Sequence, residues 1–351
     1  MDQKALLNWF SVNQRSFPWR VNRTPYRVWI SETMLQQTRA SVVIAYFENW
    51  MEKFPTLESL AKASFEEVLK MWEGLGYYSR ARNLHEAALQ ILQEFGGQIP
   101  SNIKQLRQIK GIGPYTANAI MAFAFQKGYL ALDANAKRVL SRLDGIQHEL
   151  SQKKGLEALE KTVQRICSKN FLWEVSEALI ELGAMVCIPN PKCELCPIQK
   201  NCIAKKQNLQ AVLPIKKPGK KIQKLKRVVL IFSYEDSFVI QKQAKGQVMA
   251  DLCEFPYFEY KKTIHLEDII EWCWEKFKIE PVHIQPMDTV KHAYTTFQVT
   301  LLPFYLECKT HFTCDPWKWV SHKEMDHLTF SSGHRRILQT LMSEVLCESC
   351  T

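Results

Sequence analysis

Apolar residues recur at helical spacing through roughly the first two hundred positions. Between residues 83 and 95, apolar side chains fall at positions 84, 87, 88, 91, 92 and 95, which is one face of a helix that the pair Gly96-Gly97 would end. Ser64 and Glu67 form the pattern of a capping box in front of another helix. Residues 156–163 and 175–186 repeat the helical period, and no strand-like alternation interrupts them. This part of the chain is therefore predicted to be mainly α-helical.

The pattern changes after residue 227. Segments 227–233, 238–243 and 296–306 are typical of strands, whereas 266–277 and 331–345 are typical of helices. The sequence therefore predicts an α+β region with a mixed, largely antiparallel sheet.

A basic segment separates the two patterns. Residues 205–227 hold nine Lys and Arg, no acid, two prolines and a glycine, which favours a linker, and the charge would also suit contact with phosphates. We thus expect a helical domain at 1–204, a linker at 205–227 and a second domain at 228–351.

Charge and composition narrow the class of protein. The 351 residues include 46 Lys and Arg against 36 Asp and Glu, a net charge of +10 that favours a polyanionic partner such as nucleic acid. No secretory signal is visible, and the longest apolar run, at 119–125, is far too short to span a bilayer. We expect a cytoplasmic protein, associated with the nucleoid if bacterial. In that compartment clustered thiols usually hold metal.

Two glycines lie at the centre of a predicted helix-hairpin-helix. Residues 105–110 and 114–125 are predicted as helices, Gly111 and Gly113 lie between them, and Pro114 suits the first turn of the second helix. Glycines let backbone N–H groups approach a phosphate, at which the second helix aims its positive end. An ordinary connection between helices is the alternative reading, because the glycine pair alone is weak evidence.

Two carboxylates are candidates for chemistry. Asp133 in "LDANAKRVL" precedes a helix and would serve as its N-cap, but a carboxylate there could also stabilise a cationic sugar. Glu32 in "VWISETMLQQTR" has the apolar neighbours Ile30, Met34 and Leu35, which would raise its pKa and suit a general acid. An exposed helix glutamate is the simpler reading of Glu32 alone.

The stretch "CIPNPKCELCPIQKNC" contains four cysteines, at 187, 193, 196 and 202. Their spacing, C-x5-C-x2-C-x5-C, contains one close pair, whereas zinc sites more often have two. We therefore favour an iron–sulfur cluster held by Cys187, Cys193, Cys196 and Cys202, with zinc as the alternative.

Together these stretches resemble the helix-hairpin-helix DNA glycosylases that carry a 4Fe-4S cluster, and among them the adenine DNA glycosylases of the MutY type. The matching segments are "TPYRVWISETMLQQT", "WEGLGYYSRARNL", "LDANAKRVL" and the cysteine stretch. The resemblance implies removal of adenine opposite 8-oxoguanine in duplex DNA, by an enzyme expected to be monomeric, with no membrane partner. It also implies that the C-terminal region is a Nudix-like domain.

The resemblance implies roles for individual residues. Glu32 would protonate adenine and then activate water, Asp133 would stabilise the sugar cation, and Tyr115 and Asn135 would support that transition state.

Further residues would contact DNA. Gln37 and Tyr77 would wedge into the duplex, Gly111 and Gly113 would hold its backbone, and Lys137 would hold a phosphate. Tyr294, Thr295 and Thr296 occupy the place of a Phe-Ser-His triplet that contacts the lesion in the family.

The sequence also departs from its relatives. The related endonuclease III enzymes place a nucleophilic lysine where this chain has Tyr115, so Schiff-base strand cleavage is not expected. The loop from Cys187 to Cys193 is one residue shorter than the family's usual spacing. The alternative functions are a glycosylase/lyase of the endonuclease III kind and a lesion-binding protein without catalytic activity.

Overall fold

A computed structural model describes residues 1–167, 172–217, 219, 222–244, 246–247, 249–261, 263–294, 296–313 and 315–348. The chain divides into two compact units. The first comprises Met1–Ala63 with Arg82–Gly219, and the second comprises Ser64–Ala81 with Lys220–Thr351. Segment 64–81 is thus interior to the helical part of the sequence but belongs to the second unit. Within the described ranges, no helix combines the length and apolar character that crossing a membrane requires.

Helices alone make up the regular structure before residue 223 in the ranges described, which confirms the mainly α-helical prediction. The α-helices of this part are α1 (Gln3–Asn13), α2 (Pro18–Val21), α3 (Pro25–Met34), α4 (Ala40–Lys53), α5 (Leu57–Lys62), α6 (Phe65–Met71), α7 (Ser79–Glu94), α8 (Ile103–Leu106), α9 (Pro114–Ala119), α10 (Ala134–Leu143), α11 (Lys153–Ile166), α12 (Glu174–Met185) and α13 (Ile203–Lys206).

Local sequence signals explain where several helices begin. Ser64 and Glu67 form the predicted capping box of α6, each side chain accepting from the other's backbone N–H. Thr24 caps α3, and Pro25 occupies its first position, where the missing N–H is not needed. Asp133 caps α10, as its position predicts.

The hairpin differs from its prediction in detail. The first helix, α8, has only four residues and ends at Leu106, so the predicted helix at 105–110 is wrong. The chain continues in tight turns instead, and the Lys110 N–H donates to Gln90 Oε1 of α7 at 3.0 Å. The second helix begins at Pro114 as predicted, but after Ala119 it becomes the π-helical segment Ile120–Ala124.

One hydrophobic core in the first unit joins α1, α10, α11 and α12. Leu6, Leu140, Leu159 and Leu179 are buried in it, one from each helix. Partly buried cysteines of the "CIPNPKCELCPIQKNC" stretch pack against the same core. The cysteine loop is therefore anchored to the helices that carry the candidate site.

Among the described residues, the second unit contains an eight-stranded mixed sheet. Its strands are β1 (Gln223–Tyr234), β2 (Ser237–Lys242), β3 (Cys253–Glu254), β4 (Tyr257–Glu259), β5 (His283–Pro286), β6 (Val290–Tyr294), β7 (Phe297–Glu307) and β8 (Lys318–Ser321), and its remaining helices are α14 (Leu266–Phe277), α15 (His322–Met325) and α16 (Ser332–Glu348). The order along the sheet is β3-β2-β1-β7-β5; β4 also pairs with β1, β6 with β7 and β8 with β2.

Strand β1 is buried on both faces of this sheet. Val229 and Ile231 point into one core and Val228, Leu230 and Phe232 into the other, as the two-residue period of a strand requires. The strand begins at Gln223, inside the predicted linker, because its basic N-terminal end pairs in parallel with β7 from Gln223↔Phe297 onward. Residues 223–227 of the predicted linker are therefore part of this strand.

Candidate active site and cluster loop

Two helices bring Glu32 and Tyr115 together. Glu32 lies in the last turn of α3, in which Tyr26 and the residues from Val28 to Met34 are buried, and it is only 6% exposed. Tyr115 lies in the first turn of α9, and its hydroxyl donates a hydrogen bond to Glu32 Oε2. The glycine–proline turn that begins α9 thus positions the Tyr115 hydroxyl within hydrogen-bond distance of Glu32, the candidate general acid.

The surroundings of Glu32 bring its pKa close to neutral pH. Burial raises the pKa of Glu32 to about 7, the Tyr115 hydrogen bond opposes this rise, and the charge of Asp133 adds to it. The direction agrees with the apolar neighbours in the sequence. Burial, with the charge of Glu32, raises the pKa of Tyr115 well above its usual range, so Tyr115 remains a neutral donor.

Asp133 is held as the N-cap of α10. Its Oδ1 accepts from the Ala136 N–H at 2.6 Å, and its Oδ2 accepts from Asn135 Nδ2 at 2.8 Å. Burial raises the pKa of Asp133, while these two hydrogen bonds favour the charged form and limit the rise. The carboxylate is therefore fixed in direction by its own helix.

A hydrogen-bond chain runs from Asp133 to the cysteine loop. Asn135 Oδ1 accepts from Arg138 Nη2 at 2.7 Å, and Arg138 Nε donates to the Cys187 carbonyl at 2.7 Å. Arg138 Nη2 also donates to the Gly183 carbonyl of α12 at 2.8 Å. A Cβ on Gly183 would lie 2.7 Å from the Asn135 Cβ, so only glycine permits this close approach of α10 and α12.

A cavity of about 960 Å³ in the first unit contains the predicted catalytic residues. Its walls include Glu32, Tyr115, Asp133 and Asn135, and Gln37 also lines it. The structure therefore brings together four residues that the sequence distributes over about one hundred positions. A cavity of this size can take a nucleoside-sized ligand.

The same cavity contains charged residues that sequence reasoning missed. Arg20 Nε donates to Glu177 Oε1 at 2.7 Å, and Arg20 Nη2 donates to Glu181 Oε2 at 2.8 Å. Arg15 also pairs with Glu181, and Arg23 pairs with Glu177 at 2.9 Å. The signal was available, since two acids four residues apart on the apolar helix α12 require basic partners when buried.

The four cysteines of the loop surround one small cavity. Cys187, Cys193, Cys196 and Cys202 line about 30 Å³ together with Arg142. Among the described residues, no three His, Cys, Asp or Glu side chains are arranged to hold a single metal ion. The four thiols face a shared space, the arrangement that a polynuclear cluster with four thiolate ligands requires.

Arg142 is buried beneath this loop, with only 3% of the residue exposed, and it holds the loop through hydrogen bonds. Its guanidinium donates to the carbonyls of Ile188 at 2.6 Å, Pro189 at 2.9 Å and Leu213 at 2.9 Å. Nη1 also donates to Cys187 Sγ at 3.4 Å. A buried cation beside the thiols suits thiolate ligands, because it offsets part of their negative charge.

Comparisons with known proteins identify the family. The model for "HhH-GPD superfamily base excision DNA repair protein" matches residues 30–167, and a NUDIX domain model matches residues 227–340. The chain is 34% identical to adenine DNA glycosylase from Buchnera aphidicola subsp. Schizaphis graminum, over 86% of each chain. It is 31% identical to the enzyme of that name from Buchnera aphidicola subsp. Acyrthosiphon pisum, over 97% of this chain and 98% of the relative.

The chain belongs to the adenine DNA glycosylase family. It is a DNA glycosylase of base excision repair, a hydrolase acting on N-glycosyl bonds. The solved structure of a thermostable thymine-DNA glycosylase matches 58% of this chain and 95% of its own length, with a TM-score of 0.51 and 30% identity. The predicted helical glycosylase fold with a Nudix-like C-terminal domain is thereby confirmed.

Three of the residues that the family resemblance assigns to DNA contact, Gln37, Tyr77 and Gly111, have positive φ values. Gln37 and Tyr77 have φ values of 59° and 50°, in the left-handed region that residues other than glycine rarely adopt. Tyr77 is also 46% exposed. Gly111, with φ 76°, lies against Asn83, and Gly113 is the N-cap of α9. Lys137 is half-buried in α10, one turn after Asp133.

The predicted lesion-recognition residues lie at a turn in the second unit. Tyr294 ends β6 and pairs with Phe297 of β7, and their rings are 5.4 Å apart. The Thr296 carbonyl accepts from the Gln223 N–H at 2.8 Å, and Thr295 is outside the described residues. Tyr294 and Thr296 are therefore each tied to the sheet, one through β7 and the other through β1.

Proposed function

We propose that this enzyme hydrolyses the bond between adenine and deoxyribose where adenine is mispaired with 8-oxoguanine or guanine in duplex DNA. It does so without cleaving the strand. The adenine, flipped out of the duplex, enters the 960 Å³ cavity. The single observation that supports this chemistry best is the buried pair of Glu32 and Tyr115 beside the fixed carboxylate of Asp133.

The proposed steps use the protonation states that the site favours. The protonated Glu32 donates its proton to N7 of adenine, the C1′–N9 bond breaks, and adenine leaves as a neutral base. The carboxylate of Asp133 stabilises the positive charge that develops on the sugar. Water then adds to C1′ and gives a proton to Glu32, which restores the starting state.

The absence of a strand-cleaving lyase step rests on the chemistry of the cavity walls. A Schiff base with the sugar requires an amine nucleophile. Among the described residues that line the cavity there is no lysine, and the position of the lyase lysine is occupied by Tyr115, whose phenol stays neutral. This favours simple hydrolysis over the endonuclease III type of reaction.

A 4Fe-4S cluster fits the cysteine loop. Cys187, Cys193, Cys196 and Cys202 would hold it, and Arg142 would lie beside it. When bound, the cluster would cross-link the four thiolates and fix the loop. Because Arg138 donates to the Cys187 carbonyl, this would also fix the hydrogen bonds of Asn135 and Asp133.

The second unit carries the proposed reading of the opposite base. Tyr294, Thr295 and Thr296 are assigned to contact 8-oxoguanine, and Tyr77 to stack on bases near it. The protein would act as a monomer, in the cytoplasm or on the nucleoid. Its net charge of +10 supports the affinity for duplex DNA.

The deciding experiment is a single-turnover excision assay on duplexes with adenine opposite 8-oxoguanine, guanine or thymine. We expect adenine release from the first two, with strand breaks only after alkali treatment. Asp133→Asn and Glu32→Gln should nearly abolish release while binding persists. Release of bases other than adenine, or full activity of both variants, would overturn the proposal.

Two controls separate the alternatives. Borohydride should trap little covalent adduct, whereas strong trapping would indicate a lyase of the endonuclease III type. Binding of the duplex with 8-oxoguanine without any adenine release would indicate a lesion-binding protein. Iron and sulfide analysis with a visible absorption spectrum tests the cofactor, and a colourless protein loaded with zinc would contradict the cluster.

A further inference from the structure

The carboxylate of Glu73 has an unusually complete set of hydrogen-bond donors. Oε1 accepts from the Phe330 N–H at 2.8 Å and from Arg335 Nε at 2.7 Å. Oε2 accepts from Arg335 Nη2 at 3.1 Å and pairs with Lys70 at 3.0 Å. A carboxylate can accept about four hydrogen bonds, so this one is close to saturated. Three of the four donors come from the C-terminal part of the second unit.

These contacts are shielded from solvent. The side chains of Glu73 and Arg335 are 15% and 18% exposed, and Arg335 forms a two-pronged contact with the carboxylate. Arg335 also lies over the ring of Phe330 at 5.0 Å, and its Nη2 donates to the Leu328 carbonyl. Such bidentate, partly buried pairs hold geometry far better than exposed ion pairs.

Glu73 stands immediately before the loop that carries Tyr77. Gly74, Gly76 and Tyr77 have φ values of 96°, 70° and 50°, so the loop makes three left-handed steps within four residues. Arg80 closes the other side, donating to the Gly76 carbonyl at 2.9 Å and lying 5.6 Å from the Tyr77 ring. A non-glycine residue keeps such a conformation only when its surroundings hold it there.

The other side of this contact reaches the proposed lesion-recognition strand. Arg335 lies in the first turn of α16, and the next residue, Arg336, donates from Nη2 to the Lys291 carbonyl of β6 at 2.6 Å. Gly333 of the same turn lies against His292 of β6, where a Cβ would come within 2.9 Å of the imidazole. Strand β6 ends at Tyr294. Three residues of α16, Gly333, Arg335 and Arg336, therefore connect the two features.

We propose that Glu73 is a positioning residue through which the first turn of α16 couples the strand carrying Tyr294 to the loop carrying Tyr77. The inference rests on the proposed function, because it assigns the reading of 8-oxoguanine to the Tyr294 turn and base stacking to Tyr77. A displacement of β6 by the lesion moves Gly333 and Arg336, and Arg335 transmits it to Glu73. Through this coupling, the position of Tyr77 depends on which base contacts the turn at Tyr294.

The test is a double-mutant cycle with Glu73→Gln, Arg335→Gln and the double variant. For each, single-turnover excision rates are measured for adenine opposite 8-oxoguanine and opposite guanine, and Kd is measured for both duplexes. We expect each single variant to lower the ratio of the two rates by about tenfold, mainly through the 8-oxoguanine duplex. The double variant should be no worse than either single one.

The chain offers a matched control. Glu66, on the same short helix as Lys70, pairs with Lys242 at 3.0 Å, but both side chains are exposed, at 64% and 44%. Glu66→Gln removes the same charge from the same segment and should leave the ratio unchanged. Arg335→Lys keeps the charge but loses the two-pronged geometry, so it should retain only part of the ratio.

The outcomes separate this inference from the proposed function. If the wild type releases no adenine from either duplex, the proposed function fails, and the Kd ratios of the variants still measure coupling. If the wild type is active but Glu73→Gln slows both substrates equally, or the two single effects add, the coupling is refuted. Should Glu73→Gln fail to fold, Arg335→Lys provides the same comparison.

Discussion

Removal of a single hydroxyl, in Tyr115→Phe, should shift the pH dependence of adenine excision to higher pH. The Tyr115 hydroxyl donates to Glu32 and thereby favours the charged carboxylate, which lowers the pKa of Glu32. Burial acts in the opposite direction and leaves that pKa at about 7. Without this donor, its opposition to burial and to the charge of Asp133 is lost, so Glu32 keeps its proton to higher pH.

The size of the shift follows from the strength of the lost hydrogen bond. A hydrogen bond to a charged group contributes roughly 1.5–3 kcal/mol, and one pKa unit corresponds to about 1.4 kcal/mol. Because Glu32 is only 6% exposed, water can replace little of the lost contact. The pKa of Glu32 should therefore rise by about one to two units, to about 8 or 9.

The assay measures the single-turnover excision rate, with enzyme in excess over duplex, across a range of pH. In the proposed mechanism Glu32 is the general acid, so the rate should decline as its proton is lost at the alkaline end. The midpoint of that decline should lie near pH 7 in the wild type and higher in Tyr115→Phe. The plateau rate also falls if Tyr115 supports the transition state, but the midpoint does not depend on the plateau.

A second tyrosine controls for the loss of a buried hydroxyl. Tyr26 is 8% exposed, and its hydroxyl donates to the Phe54 carbonyl at 2.8 Å. Tyr26→Phe should leave the alkaline midpoint where it is. If the midpoint of Tyr115→Phe stays at the wild-type value or moves to lower pH, the hydrogen bond does not tune Glu32 as the structure indicates.

Three further changes test other parts of the site. Glu32→Gln should gain free energy of unfolding relative to the wild type between about pH 5 and pH 8, by at most about 3 kcal/mol. The wild type loses stability as pH rises toward and through the folded-state pKa of about 7, whereas glutamine does not ionise. If urea titrations give the same pH dependence of unfolding free energy for both proteins, this prediction is wrong. Gly183→Ala should destabilise the fold by roughly 1–3 kcal/mol and slow excision, since its Cβ would meet Asn135; an unchanged unfolding midpoint would argue against that contact. Arg142→Lys should destabilise by about 3 kcal/mol or more and lower the bound iron, since several carbonyls lose their donors; normal iron content with wild-type stability would exclude this role.

Short-range signals made much of the helical half predictable. The capping box of Ser64 and Glu67, the cap at Asp133 and the proline that begins α9 each depend on neighbours within about four residues, and each is found in the structure. The hairpin was less predictable, because the Lys110 N–H bonds to Gln90, twenty residues away. Local periodicity contains no information about such a partner.

The candidate site was recognised mainly through motifs, and its charged network was not. Glu32 and Asp133 lie in distinctive stretches, whereas Arg20 meets Glu177 and Glu181 across more than 150 positions. The assignment of segment 64–81 to the second unit is hidden for the same reason. Within that unit Glu73 contacts Arg335, which is 262 positions away, and neither residue carries a local pattern that indicates the other.

Asp133 is both the N-cap of α10 and the proposed stabiliser of the sugar cation. A substitution at this position can therefore keep the fold and still remove the activity. Asparagine caps a helix about as well as aspartate, so Asp133→Asn should keep the contact with the Ala136 N–H and remain folded, while losing the hydrogen bond from Asn135. A survey that ranks variants by cellular abundance would class it as harmless. Under the proposed function, only a measurement of base release would reveal the defect.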